Sequence, residues 1–136
     1  IVSVYCPNRE ADRIEFIKYM FKWLEETAIS MDNVLLGGDF NCAIHKHDRK
    51  RQNADRSGTF LGQSIKQYNL VDIWRMIHAD ARAFTYIDPS NRGYDSRIDF
   101  FFIPDSLKNK IKSCFIKVAP VPDHRAVIKN DRAQYM

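Results

Sequence analysis

Val34-Leu35-Leu36-Gly37-Gly38-Asp39-Phe40-Asn41 is the stretch on which the reading of this chain turns. Its first four residues have no polar face, as a central strand buried on both sides requires. A carboxylate and a carboxamide follow, two residues apart. Side chains alternate along extended backbone, so Asp39 and Asn41 are expected to leave the strand end in one direction. The competing reading is a plain turn, because Gly-Asp and Phe-Asn punctuate loops.

The flanking segments supply the rest of a layered fold. Residues 1–5 read as a strand stopped by Pro7-Asn8, with Asn8 placed to cap a helix. Ile14, Ile17, Phe21, Leu24 and Ala28 recur at helical spacing and predict a helix over 10–28. A second helix opens at Ser57-Gly58, with Phe60, Leu61, Ile65 and Tyr68 on one face. Residues 70–74 are apolar but interrupted by Asp72. Further strands are expected over 83–87, 97–103, 114–119 and 126–128, with a turn cluster at 88–93 and a short helix over 105–111. Helices and strands alternate early and strands dominate late. That pattern predicts an α/β (α+β) fold, a mixed sheet with flanking helices, over 1–129, followed by a polar tail at 130–136.

Composition sets outer bounds. The 136 residues carry a net charge of +4 and are 45% hydrophobic, enough for a core and mildly biased towards a polyanionic partner. Cys6, Cys42 and Cys114 form no C-x-x-C pair, which argues against a disulfide framework and fits a reducing, intracellular setting. No apolar run approaches the roughly 20 residues that cross a bilayer, so no membrane partner is expected.

Several residues carry candidate chemistry. Asp99 precedes Phe100-Phe101-Phe102, and Asp123-His124 lies between Pro122 and a short apolar run. Carboxylates at several strand ends suit a hard divalent cation, and histidine exchanges protons near neutrality. Asp99 can orient His124, pair with Arg97, or do both. Tyr5 is either an aromatic core residue or a hydroxyl donor to phosphate. Thr85 is either strand filler or a hydroxyl at the backbone of a bound strand. The run His45-Lys46-His47-Asp48-Arg49-Lys50-Arg51 is either a solvated loop or, through Lys46, Arg49, Lys50 and Arg51, a clamp on a phosphodiester backbone. His45 and His47 lack the further ligands a zinc site needs.

Tyr5-Cys6-Pro7-Asn8, Gly38-Asp39-Phe40-Asn41, Ser96-Arg97-Ile98-Asp99 and Asp123-His124, in that order, resemble motifs of the endonuclease/exonuclease/phosphatase superfamily. Asn69-Leu70-Val71-Asp72-Ile73-Trp74-Arg75 and Phe84-Thr85-Tyr86 are similar to the branch found in LINE-type retrotransposon ORF2 proteins. The resemblance implies the second half of a four-layered, DNase I-like α/β sandwich and a Mg²⁺- or Mn²⁺-dependent endonuclease. It implies that DNA is the substrate, that the product is a nick priming reverse transcription, and that the nucleus is the place of action. In this scheme Tyr5 contacts the scissile phosphate. Asp39 positions or deprotonates the water, Asn41 helps to hold it, and Asp39 and Asp123 lie on the metal side. His124, oriented by Asp99, stabilises the phosphorane, and Thr85 touches DNA.

The chain departs from the family pattern twice. Pro122 stands where the family carries Ser. The family's first half, with its Asn and metal-binding Glu, has no counterpart, since Glu10, Glu15, Glu25 and Glu26 all belong to the first helical region. Weak or absent nicking by these residues alone is therefore expected, together with an open sheet face beside residues 1–5. The partner expected to complete the site is the remainder of its own polyprotein, with a downstream reverse transcriptase. Two alternatives remain: a phosphatase of the same superfamily acting on inositol phosphates or lipids, and a non-catalytic nucleic-acid-binding remnant.

Overall fold

The computed structural model describes residues 1–27, 30–52 and 55–131. Among the described residues, six strands and three α-helices follow one another as β1 (Val2–Tyr5), α1 (Glu10–Glu26), β2 (Leu36–Asp39), α2 (Arg56–Gln67), β3 (Leu70–Asp72), α3 (Ile73–Ile77), β4 (Asp99–Pro104), β5 (Ile111–Val118) and β6 (Arg125–Asp131). One sheet has the order β1-β2-β4-β3, and β5 pairs with β6 in a second. The first sheet is mixed, because β1 and β2 run parallel while β2–β4 and β4–β3 are antiparallel.

Strand β4 shows why the layers stack. Its side chains alternate across the sheet. Phe100 and Phe102 enter one core with Ile17, Phe21 and Leu24 of α1 and Leu61 of α2. Ile103 enters the other core, and Phe101 packs against it, with Trp74, Cys114, Ile116 and Val127 between the two sheets. Glycine lets β1 and β2 approach closely. Gly38 has φ +144°, and a Cβ there would lie 1.9 Å from the Val4 carbonyl oxygen.

Several boundaries differ from the sequence expectation. Arg9, not Asn8, is the N-cap of α1 and makes no side-chain cap bond. The Asn8 carbonyl instead accepts from the Arg13 guanidinium. Ala28 lies outside the described residues. Asp55 caps α2 by accepting from Ser57 N–H at 3.0 Å. The 70–74 run splits, because Asp72 ends β3 and caps α3 through Arg75 N–H.

The largest correction concerns residues 83–87, which form no strand. Thr85 N–H and Tyr86 N–H both donate to Ser96 O, and Ile87 N–H turns to Asp123 O, so the segment changes partner before a ladder can build. The short helix at 105–110 is 3₁₀. Strand β6 continues to Asp131, and residues 132–136 of the expected tail lie outside the described residues. The open face foreseen beside residues 1–5 is present. Strand β1 ends the sheet order, and an apolar groove of about 310 Å³ between Val2, Val4, Phe16, Tyr19, Met20 and Trp23 flanks it.

Candidate active site

Strand register builds the site. Tyr5 on β1 is the partner of Asp39 on β2, and Asp39 is the partner of Asp99 on β4. Three expected site residues thus form one row across three strands. His124 arrives from the second sheet, immediately before β6, through a bridge between Tyr86 and His124. A cleft of about 410 Å³ is lined by Tyr5, Asp39, Asn41, Tyr86, Asp123 and His124.

His124 Nδ1 lies 3.1 Å from Asp99 Oδ2, and its Nε2 lies 3.9 Å from Asp39 Oδ2. The carboxylate of Asp99 therefore places the ring proton on Nδ1 and turns Nε2 into the cleft. Tyr86 packs its ring edge-on against the imidazole, at 5.6 Å between centroids. Burial pushes the Asp39 carboxyl above its ordinary range. The Asn41 N–H opposes the shift, and the nearby Asp99 charge adds to it.

Asn41 reaches the cleft by a route that alternation did not foresee. The chain leaves β2 in a turn, with Asn41 at φ +52° and its backbone N–H on Asp39 Oδ1 at 2.8 Å. The turn reading holds, and the turn itself brings Asn41 to the cleft wall. One amide N–H of Asn41 donates to Cys6 O at 2.5 Å, leaving a second N–H and the carbonyl oxygen for a ligand.

Other expectations need correction. Thr85 does not face a ligand. It is fully buried, and its hydroxyl accepts from the backbone N–H groups of Ile98 at 3.0 Å and Asp99 at 3.1 Å. Its carbonyl accepts from Arg125 N–H at 2.6 Å. Thr85 thereby ties the Asp99 strand to the His124 strand. Arg97 does not pair with Asp99, because its side chain turns to two other carboxylates in the interior. There it bonds Asp48 at 2.8 Å and Asp72 at 2.5 Å, and lies 4.7 Å from the rings of Trp74 and Phe100.

The basic run is partly built into the structure. A guanidinium N–H of Arg49 donates to Ala43 O at 2.8 Å, Lys50 lies 3.7 Å from Asp95, and Arg51 donates to the Tyr94 hydroxyl at 3.3 Å. Lys46 is exposed. The sequence reading missed Asp48, whose carboxylate is fully buried among arginines. Its place at the centre of a mixed-charge run gave no hint of burial.

Among the described residues, Asp39, Asp99 and His124 offer ligand atoms within 4.8 Å of one another. The two carboxylates in this open cleft fit a hard divalent cation that would take water and substrate oxygens as its other ligands. Asp123 lines the same cleft but stands outside that cluster.

The chain resembles several known proteins. It is 32% identical over 129 residues to the transposon TX1 uncharacterized 149 kDa protein of Xenopus laevis, covering 93% of this chain and 10% of that one. It is 29% identical to an exodeoxyribonuclease of Bacillus subtilis, covering 85% of this chain and 53% of that protein. Among solved structures, an AP endonuclease from Archaeoglobus fulgidus superposes with a TM-score of 0.79 at 18% identity, covering 96% of this chain and 60% of that chain. The endonuclease domain of the telomere-specific retrotransposon TRAS1 gives 0.66 at 21% identity, covering 93% and 55%. These likenesses show the expected DNase I-like fold, of which the chain spans little more than half. Residues 1–128 match the family model described as endonuclease-reverse transcriptase, and the chain belongs to that family.

Proposed function

We propose that this chain is the C-terminal part of a metal-dependent DNA endonuclease domain, carried in a retrotransposon-derived polyprotein with a reverse transcriptase and acting in the nucleus. The observation that carries the reading is the imidazole held between two carboxylates, 3.1 Å from Asp99 and 3.9 Å from Asp39. The longer distance exceeds a hydrogen bond and leaves room for a bridging water. Among the described residues no helix is long and apolar enough to cross a membrane.

The roles follow from the geometry. Asp39, its basicity raised by burial, holds a water and takes its proton. Asn41 offers its remaining amide groups to the same water or to a phosphate oxygen. The water attacks phosphorus in line, the P–O bond opposite it breaks, and the departing oxygen takes a proton from solvent. With both ring nitrogens protonated, His124 gives Nδ1–H to Asp99, which fixes its orientation, and presents Nε2–H to the charge growing on the phosphoryl oxygens. The exposed Tyr5 hydroxyl contacts the scissile phosphate at the cleft mouth. Asp39 is the carboxylate of that cluster we assign to the metal side, and Asp123, which lines the same cleft outside the cluster, is assigned there with it. A bound Mg²⁺ or Mn²⁺ supplies neutralisation of phosphoryl charge.

Nicking of supercoiled plasmid, with Mg²⁺ or Mn²⁺ and with a chelator, tests the reading. Slow, metal-dependent nicking abolished in Asp39→Ala and His124→Ala is expected. Nucleic-acid binding together with nicking indifferent to both substitutions overturns it in favour of a non-catalytic remnant. Faster release of phosphate from an inositol phosphate than nicking of DNA overturns the choice of substrate. The basic residues beside the cleft favour DNA.

A further inference from the structure

A second, polar pocket of about 210 Å³ opens beside the cleft and shares Asn41, Ser96 and Ile98 with it. Arg51 and Tyr94 form part of its lining. Two guanidinium groups lie over the exposed Tyr94 ring, Arg51 at 5.1 Å and Arg92 at 5.5 Å from its centroid. Arg51 also donates to the Tyr94 hydroxyl at 3.3 Å, and Arg92 donates through Nε to Ser90 Oγ at 2.7 Å. Among the described residues neither guanidinium is paired with a carboxylate, although Asp95 and Asp55 are near. Those two carboxylates are engaged elsewhere, Asp95 by Lys50 and Asp55 by Arg13.

The loop that carries this group is organised in advance. The Asp88 carboxylate accepts from Ser90 N–H at 2.9 Å, Ser90 Oγ at 2.5 Å, Arg92 N–H at 2.9 Å and Tyr94 N–H at 3.3 Å. Asn91 at φ +55° and Gly93 at φ +88° complete the turn. An aromatic ring that pins two arginines by cation–π contact lowers the entropy lost when they grip a ligand. Each guanidinium still has N–H donors to give, in the planar fork that matches a phosphate.

We propose that Arg51, Tyr94 and Arg92 form a clamp for a backbone phosphate of the nucleic-acid strand that continues from the cleft across the neighbouring pocket. The ligand class is a phosphodiester, held without reading its bases. The proposal rests on the reading of the cleft as a nucleic-acid phosphodiesterase site, and it places substrate grip on the Asp88–Tyr94 turn rather than on the basic run alone.

The test is the salt dependence of binding to a fluorescent DNA duplex, measured with chelator present so that no cleavage occurs. Arg51→Gln with Arg92→Gln is compared with Lys18→Gln plus Lys22→Gln, which removes the same charge from exposed positions on α1. The clamp pair, which grips one phosphate, is expected to lower the slope of log affinity against log salt by about one. The affinity lost between about 50 and 200 mM salt then shrinks by about threefold relative to the parent. The lysine pair is expected to leave the slope within about half a unit of the parent. Equal slopes for parent and clamp pair, with the parent bound, overturn the clamp alone. A parent that does not bind DNA overturns the clamp and the reading beneath it together. The three residues are exposed, so all variants are expected to melt with the parent.

Discussion

His124 Nδ1 stands 3.1 Å from Asp99 Oδ2, and the two residues reach each other from the starts of strands in different sheets. Nothing along the chain joins them, so the pair exists only if both sheets are in place. The separation of 3.9 Å from Nε2 to Asp39 Oδ2 depends on the same docking.

Asp99→Asn therefore probes orientation rather than charge alone. An amide in place of the carboxylate can present N–H to Nδ1 and favour the other tautomer. Nicking by the parent and variant is expected to differ by about 10²–10⁴-fold in kcat, the range for a displaced acid–base group. The KM for DNA is expected to change by less than about threefold, because phosphate contacts are untouched. A variant within about threefold of the parent in kcat removes Asp99 from the mechanism.

Asp39 carries a pH signature of definite sign. Its folded-state pKa is raised above the ordinary 3.8, chiefly by burial. The stability it contributes is fully present below 3.8 and is lost as pH rises through the folded value. Asp39→Asn removes that loss. Its melting temperature is expected to equal or exceed the parent's at pH 7 and to converge with it in acid. Activity is expected to fall by at least about 10²-fold at every pH. A variant less stable than the parent at pH 7 contradicts the burial argument.

Thr85 separates a positioning role from a contact with substrate. Thr85→Val keeps the shape and removes the acceptor for the Ile98 and Asp99 N–H groups. A cost of about 1–3 kcal/mol in stability is expected, read from chemical denaturation. Faster hydrogen exchange at those two amides, with nicking reduced through kcat, is expected in the same variant. Thr85→Ser is expected to restore all three. Loss of DNA affinity in Thr85→Ser with unchanged exchange returns Thr85 to the substrate interface.

Much of this site was legible because its residues punctuate strand ends. The Asp39, Asp99 and Asp123-His124 motifs flank apolar runs, and register alone aligns Tyr5, Asp39 and Asp99. Residues 83–87 misled because β-branched and aromatic residues signal extended backbone without naming a partner. The chain there is extended, yet it divides its bonds between Ser96 and Asp123. Alternation on a strand puts Arg97 and Asp99 on one face and so offers their pairing as one option. The structure begins β4 at Asp99, so Arg97 lies before the strand and its side chain is free to turn inwards. Asp48 was hidden because local charge pattern carries no trace of a partner 49 residues away.

That buried network yields the last expectation. Arg97 is 1% exposed and joins Asp48 to Asp72, while Arg75 also bonds Asp48. Burial pushes the Asp48 carboxyl up, but the Arg97 and Arg75 contacts outweigh it and hold it below its ordinary 3.8. The stability from Asp48 is present above 3.8 and disappears as pH falls through the folded value. Arg97→Leu leaves Asp72 without its cation and Asp48 with only Arg75, at an expected cost of about 3–5 kcal/mol by denaturation at pH 7. That cost is expected to shrink on acidification as the stranded carboxylates take up protons. The network also pins the basic run to β4 through Asp48, whose carbonyl accepts from Arg97 N–H at 2.8 Å. Arg97→Leu is therefore expected to raise proteolysis within residues 45–52 before the rest of the chain is cut. Even cleavage along the whole chain instead places the network in the global core alone.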